Sequence, residues 1–384
     1  MSTLATGYAQ WGQMVGMGWL VYDLTNESAV QLAAVSATAG VVRLVLGPFT
    51  GVALDRWHRR SVVIWSTWLS ALQGGALAVL VFSGFVEVWH VYVFAALDAV
   101  ISTLNQNARQ TFVYDITDEV TLPNAVTLNA IGQNVTRITG PSIAAALTAP
   151  FGNSGPFAFV AVMMIVGTAL TLPISRVTRQ AARVTGNPLR ALVDGLRYVA
   201  NDGALSGLML LSVIPGLLVY PYIPLLPVFA HDVLGRGAGA FGLLLSSIGI
   251  GSLIGLLALA FVGDVPRKGV LLTVGLLVYT LFLIGFSQST ELWLAIVLLA
   301  AAGLTHGLAL AWNQMLLQLL PRNEMRGRVV GVAQTAFALM PLGALPMGLA
   351  VDHWGLARGV GSFFVLAAVL FVAMLLFWKP LRRV

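Results

Sequence analysis

Three ionisable residues, Arg43, Asp98 and Arg137, lie deep inside long apolar stretches of the sequence. If these stretches are helices, the three residues are roughly 16–21 Å from the helix ends on one side of a membrane. A lone charge at that depth is costly, so we expect the three side chains to pair. Such a cluster can bind an anion or take up and release a proton. The alternative is an ion pair that only fixes how the helices pack.

The elements that carry these residues belong to a chain too apolar for a water-soluble fold. Of 384 residues, 58% are hydrophobic and 9% are charged, and the mean hydropathy is +0.87. Soluble chains carry about 25% charged residues. Because a span and its loop take roughly 30 residues, the length predicts an all-α membrane protein with about twelve transmembrane helices. The predicted spans are 3–22, 29–54, 61–83, 89–108, 123–148, 155–175, 205–230, 239–262, 268–287, 291–318, 328–350 and 359–378.

The basic residues predict how the chain is oriented. Of 21 Lys and Arg residues, only Arg236 and Arg358 fall in loops on one side, and Arg43 and Arg137 lie within spans. All the others fall in loops or termini on the opposite side. By the positive-inside rule, both termini are cytoplasmic. The net charge of +6 is therefore a sign of topology, and no nucleic-acid partner is predicted.

Enzyme and cofactor signatures are missing from the sequence. The chain has no cysteine, which excludes disulfides, thiolate metal sites and a cysteine nucleophile. The run Gly237–Gly242 fits the pattern G-x-G-x-x-G, but no strand precedes it. We therefore predict a protein that is not an enzyme and that has no cofactor and no metal site.

The sequence divides into two hydrophobic halves around a polar segment. We predict an N-terminal six-helix bundle over 1–176, a cytoplasmic linker over 177–204 and a C-terminal six-helix bundle over 205–384. Apolar residues between Leu189 and Val199 recur at helical spacing, which predicts an amphipathic helix on the membrane surface.

Several motifs follow one another in a specific order. They are Trp19–Thr25, the loop Gly51-Val-Ala-Leu-Asp55-Arg56-Trp-His-Arg59-Arg60, Asn107-Ala-Arg109-Gln110, Arg137-Ile-Thr-Gly140-Pro141, Pro224–Gly235 and Arg326-Gly-Arg328. In this order they resemble the major facilitator superfamily (MFS), in particular its efflux group that includes enterobactin and macrolide exporters of the drug:H+ antiporter type. Two departures are His58, where the family loop has glycine, and Ala144–Ala145, where the antiporter motif of helix 5 has two glycines.

The resemblance implies an MFS fold of two pseudo-symmetric six-helix bundles and a set of gating residues. Asp55 is expected to meet the start of helix 11 when the cytoplasmic side is shut, since a carboxylate there caps free N–H groups. Gly140-Pro141 is expected to bend helix 5 and allow close packing. The gating residues implied are Gly51, Asp55, Arg56, Arg59, Arg60, Gly140, Pro141, Arg326 and Arg328.

Polar residues within other spans are candidates for lining a substrate cavity. Asn129 and Gln133 are four residues apart and share a helix face with Arg137, and such a stripe lines a cavity more often than it faces lipid. The full set of cavity candidates is Gln13, Asn129, Gln133, Tyr220, His306 and Asn313.

Together these features predict a secondary transporter in the cytoplasmic membrane of a prokaryote. We expect it to export small amphipathic molecules by alternating access with proton antiport, acting as a monomer among membrane lipids. Two alternatives stay open at this point. The first is an uptake carrier or facilitator, and the second is a non-transporting membrane protein on the same fold.

Overall fold

The computed structural model describes residues 2–25, 28–117, 121–174, 188–262, 265–322, 324–338 and 340–383. Within these ranges the chain forms helices joined by short turns, and no strand is present. The predicted all-α fold class is confirmed.

The first part of the chain forms long helices at the predicted spans. They are α1 (Ser2–Leu24), α2 (Ala29–Arg56), α3 (Arg59–Phe82), α4 (Val88–Ile116), α5 (Leu122–Ala146), the short α6 (Thr148–Phe151), a 3₁₀ turn (Gly152–Ser154) and α7 (Gly155–Thr171). The largest differences from the predicted bounds are at the ends of α4 and α7. Polar residues continue α4 beyond its predicted end, and turns end α7 before its predicted end.

The second part begins with α8 (Pro188–Ala200) and α9 (Gly203–Leu218). It continues with a 3₁₀ stretch (Tyr220–Leu225), α10 (Leu226–Val228), a π-helical stretch (Phe229–Val233), α11 (Ala238–Val262), α12 (Lys268–Ser287), α13 (Leu292–Leu319), α14 (Arg326–Ala338), a 3₁₀ turn (Met340–Gly343), α15 (Ala344–Trp354), α16 (Leu356–Phe377) and a final 3₁₀ stretch (Lys379–Arg383).

In the described ranges, nine stretches are long and apolar enough to cross a membrane. One of them, 124–171, runs over both α5 and α7. The helix α1 is not among them, since Gln10 and Gln13 lower its hydropathy. The count of twelve transmembrane helices stays a prediction.

The seventh predicted span, 205–230, is not one continuous α-helix. Pro215, Pro221, Pro224 and Pro227 lie in this segment, and each removes a backbone N–H donor. Regular α-helix ends at Leu218, and the chain continues as 3₁₀ and π turns to Val233. Tyr220 is the first residue of the altered segment.

By its contacts the described chain divides into two compact units. Unit 1 contains Met1–Glu27, Val41–Thr185 and Arg236–Ser246, and unit 2 contains Ser28–Gly40, Gly186–Gly235 and Ser247–Val384. The helices α2 and α11 each contribute to both units. The predicted domains 1–176, 177–204 and 205–384 are divisions of the sequence, and they stay predictions.

Small residues let the helices within each unit approach closely. In unit 1, a side chain at Gly140 of α5 would lie 2.9 Å from the Cβ atom of Trp11 on α1. In unit 2, Gly251 and Gly255 of α11 face the backbone of α13, and Gly303 and Gly307 of α13 face the backbone of α11. Backbones can lie this close only where no side chain intervenes.

Candidate functional site

The helices α2 and α4 bring Arg43 and Asp98 together in unit 1. The Nη2 atom of Arg43 lies 3.7 Å from Oδ2 of Asp98. This distance is longer than the 2.7–2.9 Å typical of a charge-assisted hydrogen bond. The side chains are 46% and 26% exposed. The two charges therefore form a loose ion pair that the protein covers only in part.

Arg137 lies on α5, about 22 Å along the axis from its start at Leu122. Its side chain is half-buried. The predicted approach of Arg137 to the Arg43–Asp98 pair stays a prediction.

The polar stripe of α5, which consists of Asn129, Gln133 and Arg137, is partly or fully exposed. Thr136 and Gly140, which lie three residues after Gln133 and Arg137 and so are neighbours of the stripe on the helix surface, are buried. In a membrane-spanning helix, polar side chains left open by the protein are expected to meet water rather than lipid. The stripe is therefore suited to an aqueous path.

Gln13 is only 8% exposed and lies inside unit 1. Within the described part of the chain, its Nε2 atom has no hydrogen-bond partner. A buried amide donor without a partner is costly, so this position suits a water or a polar ligand group.

A polar network around Arg109 links four helices of unit 1. Arg109 donates hydrogen bonds to Oδ1 of Asn105 at 2.9 Å, Oγ of Ser2 at 2.9 Å and Oγ1 of Thr67 at 3.3 Å. Ser2 in turn lies 2.9 Å from the Thr171 hydroxyl. All three acceptors of the guanidinium are neutral oxygens. The network fixes α1, α3, α4 and α7 together on one side of the unit.

Sequence reasoning assigned no chemical role to this network. Arg109 was predicted as a cytoplasmic loop residue and as part of a family motif, whereas it lies within α4 because that helix continues to Ile116. The sequence feature that could have revealed the network is Asn105, which lies four residues before Arg109 on the same helix face.

In unit 2, two hydrogen bonds join the seventh span to α13. The hydroxyl of Tyr220 lies 2.9 Å from Nε2 of His306. Asn313 donates to the hydroxyl of Ser212 at 2.9 Å. Among the described residues, Oδ1 of Asn313 has no partner. Three of the predicted cavity residues, Tyr220, His306 and Asn313, thus lie on one seam.

Aromatic rings surround His306. The Tyr279 ring stacks on the imidazole at 5.0 Å between centroids, and the Tyr220 ring meets it edge-on at 5.2 Å. Tyr279 and Ser212 were not predicted. The spacing of seven residues from His306 to Asn313 marks one helix face and would have pointed to partners on neighbouring helices.

The predicted gating loop is only partly described. Gly51, Asp55 and Arg56 are within α2, but their side chains lie outside the described residues. Arg59 is half-buried. Arg60 donates hydrogen bonds of 2.7 Å to the carbonyl oxygens of Leu172 and Ile174 at the end of α7.

Arg60 therefore caps a helix C-terminus, where a cation meets free carbonyl groups and the negative end of the helix dipole. This contact is possible because α3 begins beside the end of α7, within reach of the guanidinium.

At the start of α14, Arg326 is exposed and Arg328 is bound to α8. The Nη1 atom of Arg328 lies 3.3 Å from Oδ2 of Asp194. The predicted contact between Asp55 and this helix stays a prediction.

Pro141 is buried inside α5, next to the start of α11. A side chain at Gly242 of α11 would lie 2.8 Å from the Pro141 carbonyl oxygen and 2.6 Å from Cβ of Ala145. The hydroxyls of Ser142 and Ser246 are 2.8 Å apart. The Gly140-Pro141 segment is thus a close-packing point within unit 1.

The family of transmembrane secretion effectors, a branch of the MFS (MFS_3), matches residues 1–382. The chain belongs to this family. Within the described ranges, no cluster of three or more His, Cys, Asp or Glu residues could hold a metal ion.

Relatives of this MFS transporter share about a quarter of its sequence. The staphyloferrin A transporter of Staphylococcus aureus is 25% identical over 360 residues, which cover 91% of this chain and 87% of the relative. Macrolide efflux protein A of Streptococcus pyogenes is 23% identical, with coverage of 92% and 88%. The multidrug efflux pump Tap of Mycolicibacterium fortuitum is 28% identical, also with coverage of 92% and 88%.

Solved transporters share its fold. The nucleoside transporter NupG matches with a TM-score of 0.75 at 13% identity, over 99% of this chain and 97% of NupG. A D-xylose–proton symporter matches with a TM-score of 0.71 at 15% identity, over 96% and 95% of the two chains. The MFS fold is confirmed, and the protein is a multi-pass membrane transporter of small molecules.

Proposed function

We propose that this MFS transporter exports small amphipathic molecules across the cytoplasmic membrane in exchange for protons. The observation that carries the proposal is the loose ion pair of Arg43 and Asp98. Among the described residues, Asp98 is the one acidic residue inside a membrane-length helix that lies far from both ends of that helix. An ionisable residue at that depth in a membrane is most often part of a substrate or proton path.

Protonation of Asp98 would change the balance between two conformations. At 3.7 Å, the attraction between two unit charges is about 4 kcal/mol at an effective dielectric constant of 20. Water that reaches the pair reduces this value, since the protein leaves 46% of the Arg43 side chain uncovered. The few kcal/mol lost when Asp98 becomes neutral suffice to shift a two-state equilibrium strongly.

Alternating access results when the binding of a proton and the binding of a cargo molecule take place in turn. In the proposed cycle, Asp98 takes a proton from outside and releases it to the cytoplasm before the next cargo molecule binds. Arg43 and Asp98 pair in the deprotonated state and separate in the protonated state. The contact of Asp55 with the start of α14, near Arg326 and Arg328, closes the cytoplasmic side.

The relatives support the direction of transport. Two of them are named for efflux, macrolide efflux protein A at 23% identity and the multidrug efflux pump Tap at 28% identity. The cargo contacts in this proposal are Gln13, Asn129, Gln133, Tyr220, His306 and Asn313, which combine polar groups with aromatic surface. That combination suits amphipathic molecules.

The proposal includes an orientation and an oligomeric state. Both termini face the cytoplasm, as the distribution of arginines predicts. The transporter acts as a monomer in the plasma membrane of a prokaryote.

Accumulation of dyes and drugs in everted membrane vesicles tests direction and coupling together. Vesicles that contain the transporter are given an acid interior, and uptake of ethidium and erythromycin is followed before and after nigericin collapses the pH gradient. We expect gradient-dependent accumulation of at least one probe. Asp98→Asn should abolish it.

Asp232→Asn is the matched control, because Asp232 forms an exposed pair with His231 at 3.1 Å. It should transport like the wild type. Transport that needs no pH gradient would indicate a facilitator. Accumulation only in right-side-out vesicles would indicate an uptake carrier, and either result would contradict the proposal.

A further inference from the structure

The guanidinium of Arg109 keeps two N–H groups that donate to no protein atom in the described part of the chain. Nε donates to Oδ1 of Asn105, Nη1 donates to Oγ of Ser2, and Nη2 donates to Oγ1 of Thr67. A guanidinium has five N–H groups, and each Nη atom carries two of them. One N–H group therefore remains on Nη1 and one on Nη2.

The partners of Arg109 hold the guanidinium in one orientation. The hydroxyl of Thr67 donates to the main-chain oxygen of Val63 at 2.6 Å. The amide of Asn105 donates to the hydroxyls of Ser66 at 2.7 Å and Thr67 at 2.9 Å. Asn105 is 4% exposed and Thr67 is 0% exposed. The polar hydrogen atoms of both side chains are thus bound inside the protein, and their oxygens are fixed as acceptors for Arg109.

The charge of Arg109 is not balanced by these partners. Among the described residues, Arg109 forms no ion pair with a carboxylate. The end of α7 lies close to the network, because Ser2 contacts the hydroxyl of Thr171. Two free carbonyl groups there already accept hydrogen bonds from another cation, Arg60. A half-buried charge without a counter-charge is costly, so an anion from outside the chain would stabilise this site.

The position of Arg109 along α4 allows an anion to reach it. The part of this helix that is apolar enough to cross a membrane is Val88–Val113. Arg109 lies four residues before the end of that stretch, which is about 6 Å along the helix axis. At this level the hydrocarbon core of a bilayer gives way to headgroups and water.

The two remaining N–H groups favour an oxyanion with more than one oxygen. Two N–H groups on one planar guanidinium match the spacing of two oxygens in a carboxylate or phosphate. A chloride ion has a single centre and cannot use this geometry. Phosphate groups are present on both sides of the boundary at which Arg109 lies, as lipid headgroups and as dissolved ions.

We propose that Arg109 binds a phosphate group at this end of unit 1, which the predicted orientation places at the cytoplasm. Two phosphate oxygens accept the N–H groups that remain on Nη1 and Nη2, and the anion supplies the counter-charge. Inorganic phosphate and the headgroup of an anionic lipid both offer this chemistry. The site is separate from the Arg43–Asp98 pair and from the proposed cargo contacts.

Occupancy of the site stabilises the contacts among four helices of unit 1. Arg109 joins α4 to α1 and α3, and Ser2 joins α1 to α7. A bound phosphate neutralises the guanidinium and leaves all of these hydrogen bonds in place. A ligand that binds the folded state alone raises the stability of that state in proportion to its occupancy.

Thermal unfolding of the full-length protein measures this binding without any transport substrate. In the first arm, the purified wild type in an uncharged detergent is titrated with sodium phosphate, and sodium chloride keeps the ionic strength constant. In the second arm, the protein is placed in nanodiscs of phosphatidylcholine alone or with added phosphatidylglycerol. We expect the unfolding midpoint to rise along a saturating curve with phosphate, with phosphatidylglycerol, or with both. The arm that responds identifies the source of the phosphate group.

Arg109→Gln should weaken this response at least about tenfold, because it removes hydrogen bonds from a charged donor to the anion. Each variant is compared with its own midpoint in chloride alone, so a lower basal stability does not affect the result. Arg109→Lys keeps the charge but has no paired N–H groups and should also bind more weakly. Arg322→Gln removes an exposed arginine on the same predicted side and should respond like the wild type.

The wild type alone can overturn the proposal, since a midpoint that rises in neither arm would show that no phosphate binds. An equal response of the wild type and Arg109→Gln would show that any binding occurs elsewhere. If Arg109→Gln does not fold, a full response of Arg109→Lys would contradict the proposed paired contact. None of these measurements depends on the direction or coupling of transport, so they stand even if the proposed export fails.

Discussion

At the scale of single residues, Arg43 and Asp98 illustrate how a membrane protein can hold a charge at mid-depth. Each neutralises the other, but at 3.7 Å the contact is not a hydrogen bond. Both side chains are partly exposed. The pair therefore lies between a buried salt bridge, whose rupture is very costly, and a surface pair, which contributes little.

This intermediate setting predicts the outcome of a double-mutant cycle. Asp98→Asn leaves Arg43 without its counter-charge and should lower the free energy of unfolding by about 1–3 kcal/mol. Asp98→Asn combined with Arg43→Gln should be less destabilised than the single variant. Thermal unfolding of the purified variants in one detergent measures both. If the effects of the two substitutions simply add, the pair has no coupling.

The network around Arg109 predicts a strong preference for arginine. A lysine side chain has a single nitrogen, so it cannot replace the three guanidinium nitrogens that donate to Asn105, Ser2 and Thr67. Arg109→Lys should lower the free energy of unfolding by about 1–3 kcal/mol through the oxygens left without donors. Arg236→Lys, at an exposed position, should stay within about 0.5 kcal/mol of the wild type. Equal thermal midpoints for these two variants would show that the network contributes nothing.

At the scale of elements, the contact between α11 and α13 depends on glycine. A Cβ atom at Gly303 would overlap the carbonyl oxygen of Ile248, whereas at Gly275 on α12 the nearest atom would be Ala309 Cβ at 3.5 Å. Gly303→Ala should therefore destabilise the protein by about 1–3 kcal/mol. Gly275→Ala should be tolerated. Comparison of their thermal midpoints checks the contact, and equal stability would contradict it.

Element bounds could be predicted well because hydropathy fixes where a membrane helix begins and ends. For α12 the predicted span 268–287 is the helix Lys268–Ser287. The eleventh span was predicted less well: a 3₁₀ turn at Met340–Gly343 divides the predicted span 328–350 between α14 and α15. Apolar composition alone does not reveal such a turn, since turn and helix are equally apolar here.

Side-chain partners were harder to predict than elements. The depth of Arg43 and Asp98 could be counted along the sequence, and in the structure the two side chains lie 3.7 Å apart. The convergence of Arg137 with them stays a prediction. The partners of Arg60 and His306 depend on which helices are neighbours, and hydropathy carries no such information. Tyr279 and Ser212 were missed for that reason.

At the scale of the whole molecule, the arginine distribution predicts which loops face the cytoplasm. Cysteines introduced at the exposed residues Ser83 and Thr290 should react with an impermeant maleimide in intact cells. Cysteines at the exposed residues His58 and Asn201 should react only after the membrane is opened. The cysteine-free chain is its own control. Labelling of residue 201 from outside would reverse the orientation.

Each of the two compact units contains a segment from a helix that also belongs to the other unit. Unit 1 takes in Arg236–Ser246 and unit 2 takes in Ser28–Gly40. Two helices, α2 and α11, thus continue from one unit into the other.

Proton flux during transport tests the central claim most directly. Purified transporter is reconstituted in liposomes that contain the pH dye pyranine, and a gradient of ethidium or erythromycin is applied without any initial pH gradient. The account predicts that protons move opposite to the transported probe. Asp98→Asn should abolish this proton flux, and Asp232→Asn should retain it. Movement of the probe without protons, or with protons in the same direction, would contradict proton-driven export.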